Sequence, residues 1–205
     1  MILSLEDYER MFRVVHGLLL AERGDPAKAC LYFGVIGALL LEQHHQVRAQ
    51  PVVGMAGYRL AGRPLVFAEP EGGILRATPT GFHCWIDTEG FVIDLQAPLF
   101  PEAIAQLDPA GVLPRRMMQK SFASASETPQ ALGEGGTHWH YHDAPLHRTL
   151  LTEFVEVPAN LDLAQIAADW YQPSPAPLRD AIRVGNGRGQ VKDVPLSPVK
   201  IEGAW

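Results

Sequence analysis

The stretch Gly81 to Pro98, GFHCWIDTEGFVIDLQAP, limits the possible folds more than any other part of the chain. Two runs of alternating apolar residues, Phe82 to Ile86 and Phe91 to Gln96, flank a polar turn of Asp87, Thr88, Glu89 and Gly90. This pattern predicts a β-hairpin. With an even-numbered loop, Ile86 faces Phe91, Cys84 faces Ile93 and Phe82 faces Leu95, so one side is wholly apolar. The other side sets Trp85 against Val92 and His83 directly opposite Asp94. A three-residue loop would put Cys84 opposite Asp94 and mix polar with apolar on both faces, a slip that a half-buried sheet resists. Directly opposed residues have Cβ atoms about 4.5 to 5.5 Å apart, so a carboxylate can hold one imidazole nitrogen. That is what a general base needs, because the carboxylate fixes the tautomer and steadies the imidazolium.

Around the hairpin the chain alternates helix and strand signals. Tyr8, Met11, Phe12, Val15, Leu18 and Leu19 recur at three- and four-residue steps, predicting an amphipathic helix from Leu5 to about Glu22, ended by Gly24. Asp25 and Pro26 form a helix-start pair. The segment from Ala27 to His45 is apolar on nearly all sides and predicts a buried helix with Cys30 near its beginning and His44 and His45 at its C-terminal end. Val47 to Leu60 and Pro64 to Ala68 read as strands joined at Gly62 and Arg63, and Pro70 to Pro79 as a loop. Beyond Pro98 the expectation is a short helix over Glu102 to Leu107, a turn through Asp108, Pro109 and Gly111, a strand within Arg116 to Ser124, and a loop from Ser124 to Gly136. Leu150 to Val157 reads as a strand and Leu161 to Tyr171 as a helix capped by Asn160. The glycines of Val184 to Gln190 lack the flanking strand and helix of a dinucleotide loop.

These elements fit a single α+β domain over residues 1–171, with a Pro- and Gly-rich segment, 172–205, wrapping its surface. The 205 residues, 47% hydrophobic, suffice for one sizeable core. A net charge of -6 with no basic stripe argues against a nucleic-acid partner. Two cysteines are too few for a disulfide framework and suit a reducing compartment. The acidic N-terminus is no signal peptide, and the apolar run Leu31 to Leu41 is too short to span a membrane, so the expected location is the cytoplasm.

Cys30, His83 and Asp94 form the constellation best suited to chemistry. A thiolate is a strong nucleophile, and a helix N-terminus and an imidazole are the surroundings that activate one. In chain order, a helix with Cys near its start, strands, His before an aromatic residue and Asp on the next strand resemble the transglutaminase-like branch of the papain-like cysteine proteinases. The likeness rests on Cys30 ahead of the apolar helix, His83 and Trp85 in HCW, and Asp94 and Leu95 in IDL, and covers roughly positions 25 to 98. The chain also resembles a bacterial family of unassigned function grouped with these proteinases. The resemblance implies a papain-like fold, Cys30 as nucleophile, His83 as base and Asp94 as its orienter. It implies a cysteine hydrolase or acyltransferase acting on an amide or ester of a peptide or small molecule, with no cofactor. Trp85, Trp139 and Tyr141 are the candidate substrate contacts.

Two alternatives stand beside this reading. Papain-like peptidases take an oxyanion donor from a Gln ahead of the Cys, yet residues 1–29 hold no Gln, Asn or Trp. Losing such a donor costs about 2.7 to 4 kcal/mol of transition-state stabilisation. Moreover, if Pro26 opens the helix, Cys30 lies a full turn inside it, where the dipole acts weakly. Both points suit a catalytically silent peptide- or ligand-binding module on the same fold. The second alternative is a metalloprotein: His138, His140 and His142 alternate along a strand and share a face, as three zinc ligands would.

Overall fold

A computed structural model describes residues 2–107, 113–133, 137–185, 187 and 189–205. Helix α1 runs from Leu5 to Ala21. Ser4 caps it, its hydroxyl accepting from the Asp7 N–H at 3.0 Å, and Glu6 and Asp7 place negative charge in the first turn, where the helix dipole favours it. The expected helix from Ala27 instead divides. Asp25 caps a short 3-10 turn, Pro26–Lys28, and α2 begins at Cys30 and continues to His45. Cys30 is therefore the first residue of its helix rather than a turn inside it. The Asp-Pro start signal was spent on the 3-10 turn.

All strands of the main sheet pair antiparallel. They are β1 (Gln50–Leu60), β2 (Arg63–Phe67), β5 (His83–Thr88), β6 (Phe91–Asp94), β7 (Met118–Ser121) and β8 (His138–His142), in the order β2-β1-β5-β6-β7 with β8 also on β1. The expected loop after Pro70 folds into a small hairpin of β3 (Glu69–Glu71) and β4 (Ile74–Arg76). Long strand β1 is shared: Gly54 pairs with both His83 and His142, and Ala56 with both Phe67 and His140. A strand has only two edges, so β8 lies along the edge opposite β2 and β5.

Each face of the sheet has its own core. On one, Ile86, Ile93 and Leu95 pack with α1, α2 and α5 (Pro158–Trp170). Gly34 and Gly37 let α2 come close: a Cβ at Gly34 would sit 2.4 Å from Cys84 Sγ, and one at Gly37 2.6 Å from Ile86 Cδ1. On the other face Val52, Tyr58, Trp85 and Val92 pack with Phe100 and Ile104 of α3 (Phe100–Leu107).

The expected turn through Asp108, Pro109 and Gly111 lies outside the described residues, as does the end of the 124–136 loop. The strand expected over Leu150 to Val157 is helical. Asp143 accepts from the Leu146 N–H at 3.0 Å and, with Pro145 in the first turn, starts α4 (Ala144–Glu156). That start signal overrides the strand propensity of Thr149, Thr152, Phe154 and Val155. Asn160 is not a cap. It lies inside α5, accepting from the Tyr32 hydroxyl at 2.7 Å and donating to the Phe154 carbonyl at 2.9 Å. After Gln172, β9 (Ala181–Gly185) and β10 (Val191–Pro195) form a hairpin and the segment beyond runs along α1; Val194 of β10 and Leu196 and Ile201 beyond it are buried in the helical core. No helix among the described residues is long and apolar enough to cross a membrane.

Candidate active site

The turn between β5 and β6 is two residues long, Glu89 and Gly90, both at positive φ (41° and 84°). Such tight turns match the twist of the paired strands. The observed pairs are Ile86 with Ile93, Asp87 with Val92 and Thr88 with Phe91, two residues away from the expected register. His83 and Asp94 are thus diagonal rather than directly opposed. A slip of two keeps every side chain on its face, and diagonal neighbours about 7 to 8 Å apart remain within reach of long side chains.

The reach is made. His83 Nε2 lies 2.5 Å from Asp94 Oδ2, and both residues are fully buried. The Tyr58 hydroxyl donates to the same Oδ2 at 2.6 Å, and the Gln96 N–H donates to Oδ1 at 3.1 Å. The Tyr8 hydroxyl donates to the Asp94 backbone carbonyl. Phe67 stacks on the His83 ring at 4.2 Å between centroids, with Phe100 and Tyr58 beside it. His83 is therefore held from behind and on its flat face.

Its other nitrogen, Nδ1, is buried without a partner at standard hydrogen-bond geometry. The Cys30 thiol also interacts with this ring and strengthens its hold on a proton. Burial alone would lower the His83 pKa, but the Asp94 charge, its hydrogen bond and the Cys30 thiol outweigh that, and the value is pushed up to about 10. Imidazolium is accordingly the resting form at neutral pH. Burial, followed by the Asp94 charge, raises the Tyr58 and Tyr8 pKa values, so both hydroxyls stay protonated and act as donors.

Cys30 is 6% exposed and packs with Val53 and Cys84, with Leu31, Phe82, Leu146 and Leu150 partly exposed around them. Burial and the neighbouring Cys30 push the Cys84 thiol up, so it is protonated and unreactive. The α2 N-terminus leaves backbone N–H groups unpaired beside Cys30, where they favour developing negative charge.

The other candidates separate. Trp85 is buried at 2% exposure with its indole 4.7 Å from the His140 ring, and Trp139 is buried against Met55 and Leu132, so neither is a substrate surface. Tyr141 is exposed, but alternation along β8 turns it to the face opposite His140. The three histidines do not converge. His138 Nδ1 and His140 Nδ1 are 3.2 Å apart, while the exposed His142 ring lies 4.9 Å from that of His147 on α4. Among the described residues no group of three or more His, Cys, Asp or Glu side chains could hold a metal ion.

Tyr58 and Tyr8 were not singled out from the sequence. Tyr8 falls in the apolar stripe of α1, where it reads as core. Tyr58 shares a strand face with Gly54 and Ala56 in VVGMAGYRL, but Gly54 is small because a Cβ there would meet the Tyr141 backbone carbonyl, so this spacing does not single out Tyr58.

From residue 4 to residue 205 the chain matches the family described as protein of unknown function (DUF2026). No curated protein matches it. A solved structure described as the crystal structure of genomics APC5867 is 30% identical, with a TM-score of 0.90, covering 100% of this chain and 98% of that one. The chain belongs to the DUF2026 family.

Proposed function

We propose that this DUF2026 member is a papain-like, transglutaminase-like protein that performs thiol-dependent acyl chemistry on an amide or ester. One observation carries the reading: His83 Nε2 lies 2.5 Å from Asp94 Oδ2, and the same ring interacts with the thiol of Cys30, the first residue of α2. In the reactive pair His83 holds the proton that Cys30 has given up; the thiolate sulfur attacks the carbonyl carbon, and the His83 imidazolium passes that proton to the departing amine or alcohol. Neutral His83 then takes a proton from water or an acceptor amine, which attacks the thioester and frees Cys30. Asp94 keeps the ring oriented through both halves. In this reading the oxyanion accepts from the Cys30 backbone N–H at the helix start. Two free cysteines fit a cytoplasmic setting.

p-Nitrophenyl acetate, an activated ester, tests the reading. Mass spectrometry should find a single acetyl group on Cys30, absent in Cys30→Ser and slow to form in His83→Gln. Acetylation spread over surface lysines, with Cys30 unmodified, would count in favour of a silent binding module on the same fold.

A further inference from the structure

Two histidines of β8, His138 and His140, are linked to Asp94 through Tyr58. The Tyr58 hydroxyl lies 2.6 Å from Asp94 Oδ2 and 3.0 Å from His140 Nε2, and His140 Nδ1 lies 3.2 Å from His138 Nδ1. At the outer end His138 Nε2 is 3.2 Å from the hydroxyl of exposed Ser124, which itself donates to the Ser121 carbonyl at 2.7 Å.

The direction of each hydrogen bond follows from the Asp94 end. A carboxylate only accepts, so the one hydroxyl hydrogen of Tyr58 points at Oδ2. The Tyr58 oxygen must then accept from His140, which places the His140 proton on Nε2 and leaves Nδ1 bare. A bare Nδ1 facing another Nδ1 requires His138 to carry its proton there. At the outer end the Ser121 carbonyl accepts from the Ser124 hydroxyl and is also hydrogen-bonded by His138, so it competes for the His138 proton and the weakest link falls at the solvent end.

Burial, with His138 and His83 as neighbours, lowers the His140 pKa well below its ordinary value. Although the residue retains some exposed surface, its ring is enclosed and neutral, as the tautomer assignment requires.

We propose that Tyr58, His140 and His138 form a positioning line behind Asp94: His138 sets the His140 tautomer, His140 turns the Tyr58 proton inward, and Tyr58 fixes Asp94 toward His83. The inference deepens the acyl-transfer reading and rests on Asp94 being the orienter of His83.

Two readouts on the full chain test it: the proton NMR resonance of His83 Nε2–H and the rate of Cys30 alkylation by iodoacetamide. Both are taken in wild type, Tyr58→Phe, His138→Phe and the double variant, with circular dichroism checking each fold. Tyr58→Phe should move the resonance and slow alkylation about tenfold, the order expected for one hydrogen bond to a buried charge. His138→Phe, which does not touch Asp94, should move both readouts in the same direction, and the double variant should be no worse than Tyr58→Phe alone. If His138→Phe does not fold, His138→Gln takes its place. A resonance unmoved by Tyr58→Phe, or losses that add in the double variant, would overturn the proposal. A wild-type Cys30 no faster than Cys84 would remove the thiol chemistry, and the resonance would still decide the positioning line.

Discussion

His83 is held by an acid and interacts with a thiol, and its charge depends on the balance between burial and Asp94. Asp94→Asn keeps the shape and removes the charge. Burial is then the dominant influence left, so the His83 pKa, measured by NMR titration, should fall from about 10 to below its ordinary 6.5. The same pair gives stability a pH dependence. His83 binds its proton more tightly folded than unfolded, so its contribution is fully present below about pH 6.5 and is lost as pH rises through about 10. Unfolding free energies from urea titrations should therefore fall between about pH 6.5 and about pH 10, and fall less in His83→Gln. The meeting of His83 and Asp94 was readable from residue type and hairpin parity. Tyr58 and Tyr8 were not, because a buried tyrosine that donates to a carboxylate looks in sequence like one that fills a core.

At the scale of elements, α2 and the β5–β6 hairpin bring the site together, and their approach depends on Gly34. Gly34→Ala would drive a Cβ to 2.4 Å from Cys84 Sγ, so either the Cys84 side chain or α2 must shift. The substitution should cost about 1 to 3 kcal/mol by chemical denaturation, despite alanine's better helix propensity. The Gly34→Ala/Cys84→Ala pair should recover part of that loss, since the obstructing sulfur is gone. Hairpin parity was readable in the sequence because apolar residues on one side and His83, Trp85 and Asp94 on the other follow a period of two. Turn length was not. A four-residue polar turn and the two-residue Glu89–Gly90 turn both suit the composition, and they differ by a shift that leaves every side chain on its own face. The start of α2 was misplaced for a similar reason, since Asp25 and Pro26 open a 3-10 turn as readily as an α-helix.

Across the whole molecule, the C-terminal segment closes the helical core against α1. His16 Nδ1 meets the Ser197 hydroxyl at 2.8 Å, and Leu196 is buried among α1 side chains. Leu196→Ala should cost about 2 to 5 kcal/mol. If this segment folds with the rest, tryptophan fluorescence and circular dichroism will report one coincident transition in that variant; two transitions would show that it melts separately. The Pro and Gly content of 172–205 suggested a surface wrap, whereas the burial of Val194, Leu196 and Ile201 depends on contacts with residues nearly the whole chain away, which local pattern cannot reveal. The protein offers its own internal control for the chemistry, because Cys30 and Cys84 share one cluster and differ in their access to His83. The rates at which iodoacetamide alkylates each cysteine at neutral pH, resolved by peptide mass spectrometry, test the central claim most directly. Cys30 should react at least tenfold faster than Cys84. Equal, slow labelling of both would contradict an activated thiol at the start of α2.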